Sequence, residues 1–323
     1  MSVFAQNDAS GNTREPVVRL VGLTKRYGDA PALDGLTFDV RAGEMFGLIG
    51  PDGAGKTTAI RVICGLLHAD GGSVRVLGCD PVREHRRITM RVGYLSQRFS
   101  LYGDLTVDEN ISFFAEVHGL RDYRSQRDQL LEMTQLAPFR GRLANRLSGG
   151  MKQKLALACT LVHEPEVIVL DEPTTGVDPV SRREFWKLLS EFLDRGMTIM
   201  MSTPYLDEAE RCTRVALVHE GRALAVDTPG RLRQLINGRM LEVFAPNAEG
   251  GAIVARRIPG VRSAHAFGER LHVTLEADSD DAVEQFVRAS ASTSLGHARV
   301  RSLVPSLEDV FIAQLTGKND THV

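Results

Sequence analysis

The spacing of apolar residues divides the chain into two parts with different rhythms. In the first part, short apolar runs separated by Gly, Asp and Pro predict several strands over 17–49, the last of them buried and ending at Ile49. Further strands are predicted at 73–78, 167–170 and 197–202, with helices at 56–66, within 100–162 and at 180–195. Because strands and helices alternate, this part is expected to form an α/β fold, a parallel sheet flanked by helices.

After about residue 238 the pattern becomes strand, short helix, two strands, a helix over 279–290 and a last strand. The order β-α-β-β-α-β is typical of a small α+β, ferredoxin-like domain. A final helix is predicted to begin at Ser306, because a serine N-cap followed by Glu308 and Asp309 suits the positive end of a helix. The expected divisions are a flexible tail at 1–16, a main domain at 17–238, an accessory domain at 239–316 and a tail at 317–323.

Composition and charge narrow the class of protein. Of the 323 residues, 43 % are hydrophobic and 25 % are charged, which is ordinary for a globular protein. A net charge of -2 gives no electrostatic reason to expect nucleic acid as a partner. The four cysteines are scattered and are interpreted as buried small side chains rather than metal or redox sites.

The sequence also bears on membranes. Its first residues lack the basic start and apolar run of a signal peptide. No apolar stretch approaches the ~20 residues that a membrane-spanning helix needs. If this protein works at a membrane, we therefore expect a partner to supply the spans.

The segment GPDGAGKTT at 50–58 is the first with recognisable chemistry. It fits G-x-x-x-x-G-K-[ST] and lies between a buried strand and a helix, the context that a phosphate-binding loop requires. Its backbone N–H groups are expected to point at phosphates, Lys56 to reach the β- and γ-phosphates, and the Thr57 hydroxyl to ligate Mg²⁺. A glycine-rich turn with a chance lysine is the alternative. The predicted ligands are ATP and Mg²⁺, bound by Gly50, Pro51, Asp52, Gly53, Ala54, Gly55, Lys56, Thr57 and Thr58.

Two carboxylates follow the apolar strand in VIVLDEP at 167–173. Asp171 and Glu172 stand at its carboxyl end, the edge where open α/β sheets place their ligands. Asp171 is expected to hold Mg²⁺, and Glu172 to polarise the attacking water as a general base. A solvated acidic turn is the weaker alternative.

The segment LSGGMKQ at 147–153 opens a helix with one apolar face. Ser148, Gly149 and Gly150 would leave the N–H groups of the first turn accessible beside a hydroxyl, which predicts a second anion site. Taken by itself, the segment fits an ordinary capped helix start equally well.

Together these residues resemble the nucleotide-binding subunits of ABC transporters over about residues 17–236. The motifs stand in the order typical of that family: phosphate-binding loop, lone glutamine, LSGG, strand-end Asp-Glu pair and turn aspartate. The resemblance implies a P-loop NTPase core with antiparallel β and helical subdomains, the helical one at about 96–152. It also implies a head-to-tail dimer, in which LSGG of one subunit covers the ATP of the other. A homodimer and a heterodimer with a second ABC ATPase both remain open.

The same resemblance assigns roles to single residues. Tyr27 corresponds to the aromatic that stacks on adenine, with a core tyrosine as the alternative. Gln97 corresponds to the glutamine that contacts Mg²⁺ and the attacking water, and Asp178 to an aspartate that communicates across the dimer. Catalysis is thereby assigned to Glu172, Gln97 and Lys56. A groove for a helix of an integral membrane permease is expected at Phe99, Leu101, Tyr102 and Leu105.

One position departs from the family. In STPYLDEAERC, Pro204 stands where the family usually has a histidine that touches the γ-phosphate. Proline has neither a side-chain donor nor a backbone N–H. We therefore predict that the chain's own ATP site binds nucleotide but hydrolyses it slowly, which favours an asymmetric pair with one slow and one fast site. Hydrolysis sustained by Glu172 and Gln97 is the alternative. Asp52, where the family often has asparagine, supports no conclusion.

The ending PSLEDVFIAQLTG resembles the exporter subgroup that includes daunorubicin-resistance and sodium-extrusion ATPases. That resemblance implies a peripheral subunit on the cytoplasmic face of the cell membrane, paired with a separate permease. Two other functions fit parts of the sequence. A soluble ABC ATPase acting on ribosomes or DNA usually has tandem cassettes or a coiled-coil insertion, and this sequence has neither. A non-catalytic, ATP-dependent clamp on a soluble partner stays open because of Pro204.

Overall fold

The computed structural model of the chain describes residues 16–97, 101–245, 247–296 and 298–319. The predicted tails fall largely outside these residues. The chain divides into two compact units, Met1–Thr228 and Pro229–Val323. This boundary precedes the predicted one at residue 238, because a short helix at Pro229–Arg233 packs against the last helix of the chain and so joins the second unit.

A three-stranded antiparallel sheet begins the first unit. Its strand order is β2-β1-β4, with β1 at Val18–Tyr27, β2 at Ala30–Val40 and β4 at Gly71–Val76. Alternate residues of β1 and β2 are buried, as expected for strands with one face on a core. Phe38 of this sheet stacks on Phe46 of the next sheet, with ring centroids 5.2 Å apart. The two sheets therefore share one hydrophobic core.

The second sheet of this unit has six strands in the order β5-β6-β7-β3-β8-β9. All neighbours are parallel except β9, which pairs antiparallel with β8. Strands β3 and β6 are buried at every position, as predicted for apolar runs covered on both faces. The strands are β3 (Met45–Ile49), β5 (Val92–Leu95), β6 (Val167–Asp171), β7 (Thr198–Thr203), β8 (Arg214–His219) and β9 (Arg222–Asp227).

Helices connect and cover these strands. Thr106 and Glu109 form a capping box at the start of α3, and Ser148 and Asp178 cap α5 and α6 through their side chains. The helices α3 and α4 pack against α5, where the helical subdomain was predicted. The helices are α1 (Lys56–Ile63), α2 (His85–Thr89), α3 (Val107–Val117), α4 (Arg124–Met133), α5 (Gly149–Leu161), α6 (Pro179–Asp194) and α7 (Leu206–Ala209).

The order β6-β7-β3 determines where chemistry can gather. These neighbouring strands are parallel, so their carboxyl ends at Asp171, Thr203 and Ile49 meet at one edge of the sheet. The loop before α1 and the residues before α7 leave from that edge. Segments far apart in sequence therefore converge there, as the topology of open α/β sheets requires.

The second unit contains a four-stranded antiparallel sheet in the order β11-β12-β10-β13. With a helix between the first two strands and another between the last two, it has the predicted β-α-β-β-α-β arrangement. Ser306 caps the last helix through the Asp309 N–H at 3.2 Å, and that helix runs to Asn319, beyond the predicted end of the domain at 316. The elements are α8 (Pro229–Arg233), β10 (Met240–Phe244), α9 (Ala248–Ala255), β11 (Val261–Phe267), β12 (Arg270–Leu275), α10 (Asp280–Ser290), β13 (Arg299–Leu303) and α11 (Leu307–Asn319).

Among the described residues, none of the helices combines the length and the apolar character that crossing a membrane requires.

Candidate functional site

The loop between β3 and α1 has a backbone that glycine makes possible. Gly55, the N-cap of α1, has a φ of 99°. A Cβ atom at Gly55 would lie 2.4 Å from the Ala32 carbonyl oxygen, so both the conformation and the space exclude larger residues. Because the N-cap has no side chain, the first N–H groups of α1 receive no side-chain cap. They remain available to an anion.

Lys56 is buried at 4 % exposure within this loop. Its Nζ donates to the carbonyl oxygens of Gly50 at 2.8 Å and Pro51 at 3.0 Å. The same Nζ lies 3.2 Å from Glu172 Oε1. The structure therefore brings the predicted loop lysine and the predicted general base into a direct ion pair.

Asp171 accepts two hydrogen bonds on one oxygen. The Thr57 hydroxyl donates to Oδ1 at 3.1 Å and the Ser202 hydroxyl at 2.7 Å. Asp171 is only 1 % exposed. The burial of Tyr94 and, to a smaller extent, the negative charge of Asp171 raise the pKa of Tyr94 to about 12. A hydroxyl and a carboxylate thus stand side by side at the strand ends.

Glu172 adopts a left-handed backbone conformation with a φ of 48°. Its Oε2 accepts from Gln97 Nε2 at 3.1 Å and from the Thr175 hydroxyl at 3.4 Å. Its backbone N–H donates to the Ser202 hydroxyl at 3.0 Å. Residues predicted separately, Gln97 and Glu172, are therefore direct neighbours.

Lys56, Thr57, Gln97 and Glu172 line a cavity of about 520 Å³ at the carboxyl edge of the sheet, whereas Asp171, which contacts Thr57, is not among its lining residues. Pro204 also lines the cavity, which places the residue that departs from the family pattern in the same cavity as Glu172 and Lys56. Three lining residues were not predicted: Ala32, Thr175 and Tyr205. Thr175 and Tyr205 closely follow Glu172 and Pro204 in sequence, so adjacency was a usable signal. The complete lining is Ala32, Asp52, Gly53, Gly55, Lys56, Thr57, Thr58, Gln97, Glu172, Thr175, Pro204 and Tyr205.

Other predicted residues lie apart from this lining within the described part of the chain. Tyr27, at the end of β1, is 52 % exposed, so it is not a core tyrosine. Asp178 accepts from the Ser181 and Val180 N–H groups at the start of α6, and these bonds hold its pKa below the ordinary value. Its side chain here serves as a helix cap.

The LSGG segment also stands away from the cavity, at the start of α5. The Ser148 hydroxyl accepts from the Met151 N–H at 3.3 Å, and both Ser148 and Gly149 are exposed. Gly150 packs on α6, where a Cβ would lie 2.3 Å from Ser181 Oγ. In the described residues, the lining of the cavity includes none of Ser148, Gly149 and Gly150.

Comparison with known proteins identifies the family. A family model described as ABC transporter matches residues 33–175. The daunorubicin resistance ATP-binding protein DrrA3 of Streptomyces coeruleorubidus is 36% identical over 308 residues, which cover 94% of this chain and 96% of the relative. This chain belongs to the ATP-binding proteins of ABC transporters.

Two further likenesses agree. The probable multidrug ABC transporter ATP-binding protein YbhF of Escherichia coli (strain K12) is 42% identical over 311 residues, covering 94% of this chain and 53% of YbhF. The chain thus spans about half the length of that relative. A solved structure of the ATP binding subunit of an ABC transporter is 30% identical at a TM-score of 0.62, over 68% of this chain and 92% of the other. The P-loop core and the resemblance to the daunorubicin-resistance subgroup are confirmed.

The site of this ABC ATP-binding protein suits a nucleotide with Mg²⁺. Lys56 and the uncapped N–H groups of α1 offer positive charge and donors for phosphates. Thr57 Oγ1 and Asp171 Oδ1, 3.1 Å apart, are the hard oxygen donors that Mg²⁺ prefers. The residues present therefore fit both ligands.

The residues predicted to form a groove for a permease lie before α3. Tyr102 is 45 % exposed and its ring packs edge-on against Phe113 at 4.6 Å, while Leu101 and Leu105 are half-buried. Asn110, fully buried, holds the turn by donating to the carbonyl oxygens of Tyr102 and Leu105. Phe99, the other predicted residue, lies outside the described residues.

Proposed function

We propose that this chain is the ATP-binding subunit of a membrane exporter, coupling ATP binding and hydrolysis to transport by a separate integral membrane permease. The observation that carries the proposal is the cavity where Lys56, Thr57, Gln97 and Glu172 converge. The relatives of the chain include proteins named for multidrug transport and for daunorubicin resistance, and these names favour export as the direction of transport. The place of action is then the cytoplasmic face of the cell membrane.

The residues around the cavity have separate roles in this proposal. The loop from Gly50 to Thr58 holds the phosphates through backbone N–H groups, and Lys56 neutralises their charge. Thr57, Asp171 and Gln97 hold Mg²⁺ directly or through its water shell. Bound Mg²⁺ supplies charge neutralisation at the phosphate oxygens. Glu172 orients the attacking water and accepts its proton.

Lys56 must change its partners when nucleotide binds. Lys56 Nζ is engaged by two loop carbonyls and by Glu172 in this structure. Lys56 exchanges these partners for phosphate oxygens, and the Glu172 carboxylate is then released toward the water. Gln97, which donates to Glu172 at 3.1 Å, follows the change and is the residue proposed to link it to the permease.

A second ABC ATPase subunit completes the site. The exposed start of α5 at Ser148 stands apart from its own cavity, so it is available to cover the nucleotide of a partner. The partner is either a second copy of this chain or a different ABC ATPase. Tyr27, exposed at the end of β1, is assigned to the adenine. Asp178, at the start of α6, is assigned to the contact between subunits.

The chain's own site is proposed to be slow because of Pro204. Proline at this place of the cavity presents carbon atoms where a side-chain donor would stabilise the γ-phosphate in the transition state. Losing a contact of that kind lowers kcat more than it weakens ATP binding. The intact LSGG segment would still serve a faster site on a partner.

The test is Mg-ATP turnover by the purified chain, with ATP binding measured separately. Wild type is expected to bind ATP and turn it over slowly, Pro204→His to raise the rate, and Glu172→Gln to abolish it. Brisk wild-type turnover that Pro204→His leaves unchanged would refute the slow site.

Co-purification with a permease tests the transport role. Persistent binding without turnover in any mixture would instead favour the ATP-dependent clamp.

A further inference from the structure

The two residues after Glu172 are each held by a buried polar side chain from elsewhere in the chain. Gln153, on α5 and fully buried, donates from Nε2 to the Pro173 carbonyl oxygen. The Thr174 hydroxyl donates to Glu208 Oε1 at 2.8 Å, and Glu208, on α7, is 1 % exposed. Neither Gln153 nor Glu208 lines the cavity.

Glu208 is the centre of a small network. Its Oε1 also accepts from the Trp186 indole N–H at 3.2 Å and lies 3.3 Å from Arg182 Nε, both on α6. A carboxylate buried to this degree costs free energy unless it is hydrogen-bonded and paired. The network therefore joins α6 and α7 firmly to Thr174.

Glu172 itself needs such support. Its φ of 48° is a strained conformation for a residue with a side chain, costing of the order of 1–3 kcal/mol, which persists where the surroundings over-determine it. On the preceding side, its N–H is fixed by Ser202, whose hydroxyl also donates to Asp171. On the following side, the fixed points are Pro173 and Thr174.

We propose that Gln153 and Glu208 are positioning residues that hold Glu172 in its left-handed conformation and so aim its carboxylate into the cavity. The inference rests on the proposed role of Glu172 as general base. Because Gln153 lies on the helix that begins at Ser148, it joins the segment assigned to a partner's nucleotide to the chain's own catalytic carboxylate. A shift of α5 is thereby transmitted to Glu172.

The experiment compares Gln153→Met and Glu208→Met with wild type, each in the full chain. Single-turnover hydrolysis rate, Kd for Mg-ATP and melting temperature are measured, with Pro204→His as the background if wild type is too slow. Because misplacing a catalytic group by a fraction of an ångström to 1 Å costs up to about 100-fold, both variants are expected to lose about 10-fold or more in rate. Their Kd for Mg-ATP should not rise by more than about twofold, since the phosphate-binding loop is untouched.

Two controls separate positioning from general damage. Glu208→Gln keeps an acceptor for Thr174 and Trp186, so it should retain most of the rate that Glu208→Met loses. Glu44→Gln alters another buried carboxylate, paired with Arg214 at 3.0 Å outside the cavity, and should lower the melting temperature without lowering the rate.

The outcomes separate the two proposals. Wild-type rates in both Met variants would overturn the positioning role, as would a loss of Mg-ATP affinity as large as the loss of rate. Equal losses in Glu208→Gln and Glu208→Met would overturn it too. If Glu172→Gln retains full turnover, or if neither background hydrolyses ATP, the role of Glu172 fails and this inference fails with it.

Discussion

Replacing Glu172 by glutamine is expected to tighten nucleotide binding as well as to stop hydrolysis. Lys56 Nζ lies 3.2 Å from Glu172 Oε1, and the two side chains are 3 % and 9 % exposed. A nucleotide phosphate needs the same Lys56 ammonium, and the negative phosphate repels a carboxylate that stays close to it. Glu172 therefore competes with the nucleotide for Lys56, and Glu172→Gln removes the competitor while keeping its shape.

The size of the effect follows from the distance. At 3.2 Å and an effective dielectric constant of about 20, Coulomb's law gives a gross attraction of about 5 kcal/mol. The cost of desolvating both ions offsets most of this. The carbonyl oxygens of Gly50 and Pro51 also contact Lys56 Nζ, but they do so in wild type and variant alike and do not add to the difference. We estimate that about 1.4 kcal/mol of the attraction remains after desolvation and opposes nucleotide binding, which corresponds to about tenfold in Kd.

The assay is equilibrium binding of ADP by calorimetry, because ADP excludes the trapping that halted hydrolysis of ATP would cause. Glu172→Asp retains the charge on a shorter side chain and should stay near wild type. Glu44→Gln, which removes a buried charge elsewhere, controls for net charge. An unchanged ADP affinity in Glu172→Gln, or an equal gain in Glu44→Gln, would refute the competition.

Two further predictions concern the phosphate-binding loop and the second unit. Gly55→Ala places a Cβ 2.4 Å from the Ala32 carbonyl oxygen at a φ of 99°, so it should destabilise the chain by about 1–3 kcal/mol and weaken ADP binding; wild-type melting temperature and Kd would contradict this. Burial alone would raise the pKa of Asp309, but hydrogen bonds from His272 and Ser306 outweigh it and hold the pKa below its ordinary value. A carboxyl whose pKa is lower in the folded state stabilises the fold at pH values above its unfolded pKa, and this stabilisation is lost as the pH falls through its folded pKa. Calorimetry of Asp309→Asn should therefore show lower stability than wild type near neutral pH and a weaker loss of stability below about pH 4. Parallel pH profiles for wild type and Asp309→Asn would contradict that account.

The edge of the sheet was predictable because local patterns determine it. Apolar runs that end at Ile49 and Asp171 are recognisable in the sequence, and parallel neighbours must end on the same side. The cap at Ser306 was predictable for a similar reason, since the hydrogen bond joins residues three positions apart.

Contacts between distant segments were beyond the sequence. The bond between Gln153 and Pro173 depends on how α5 lies against the strand end, which no local pattern encodes. The same holds for the ion pair of Lys56 with Glu172, since the two residues come from different strands' ends. The boundary near Thr228 was missed because α8 is assigned to its unit by packing, not by composition.

The Lys56–Glu172 ion pair affects the Kd for nucleotide, whereas Pro204 affects the rate at which bound ATP reacts. The two causes of slow turnover can therefore be distinguished by experiment. The pair of Lys56 with Glu172 competes with the phosphates for the ammonium, so it raises the Kd for nucleotide and does not act on the transition state of bound ATP. Pro204 leaves the ground state nearly unchanged and removes a contact that would strengthen as charge develops on the γ-phosphate. A chain slowed by the pair should recover at saturating ATP, whereas a chain slowed by Pro204 should stay slow at any concentration. The dependence of rate on ATP concentration therefore decides which of the two limits this site.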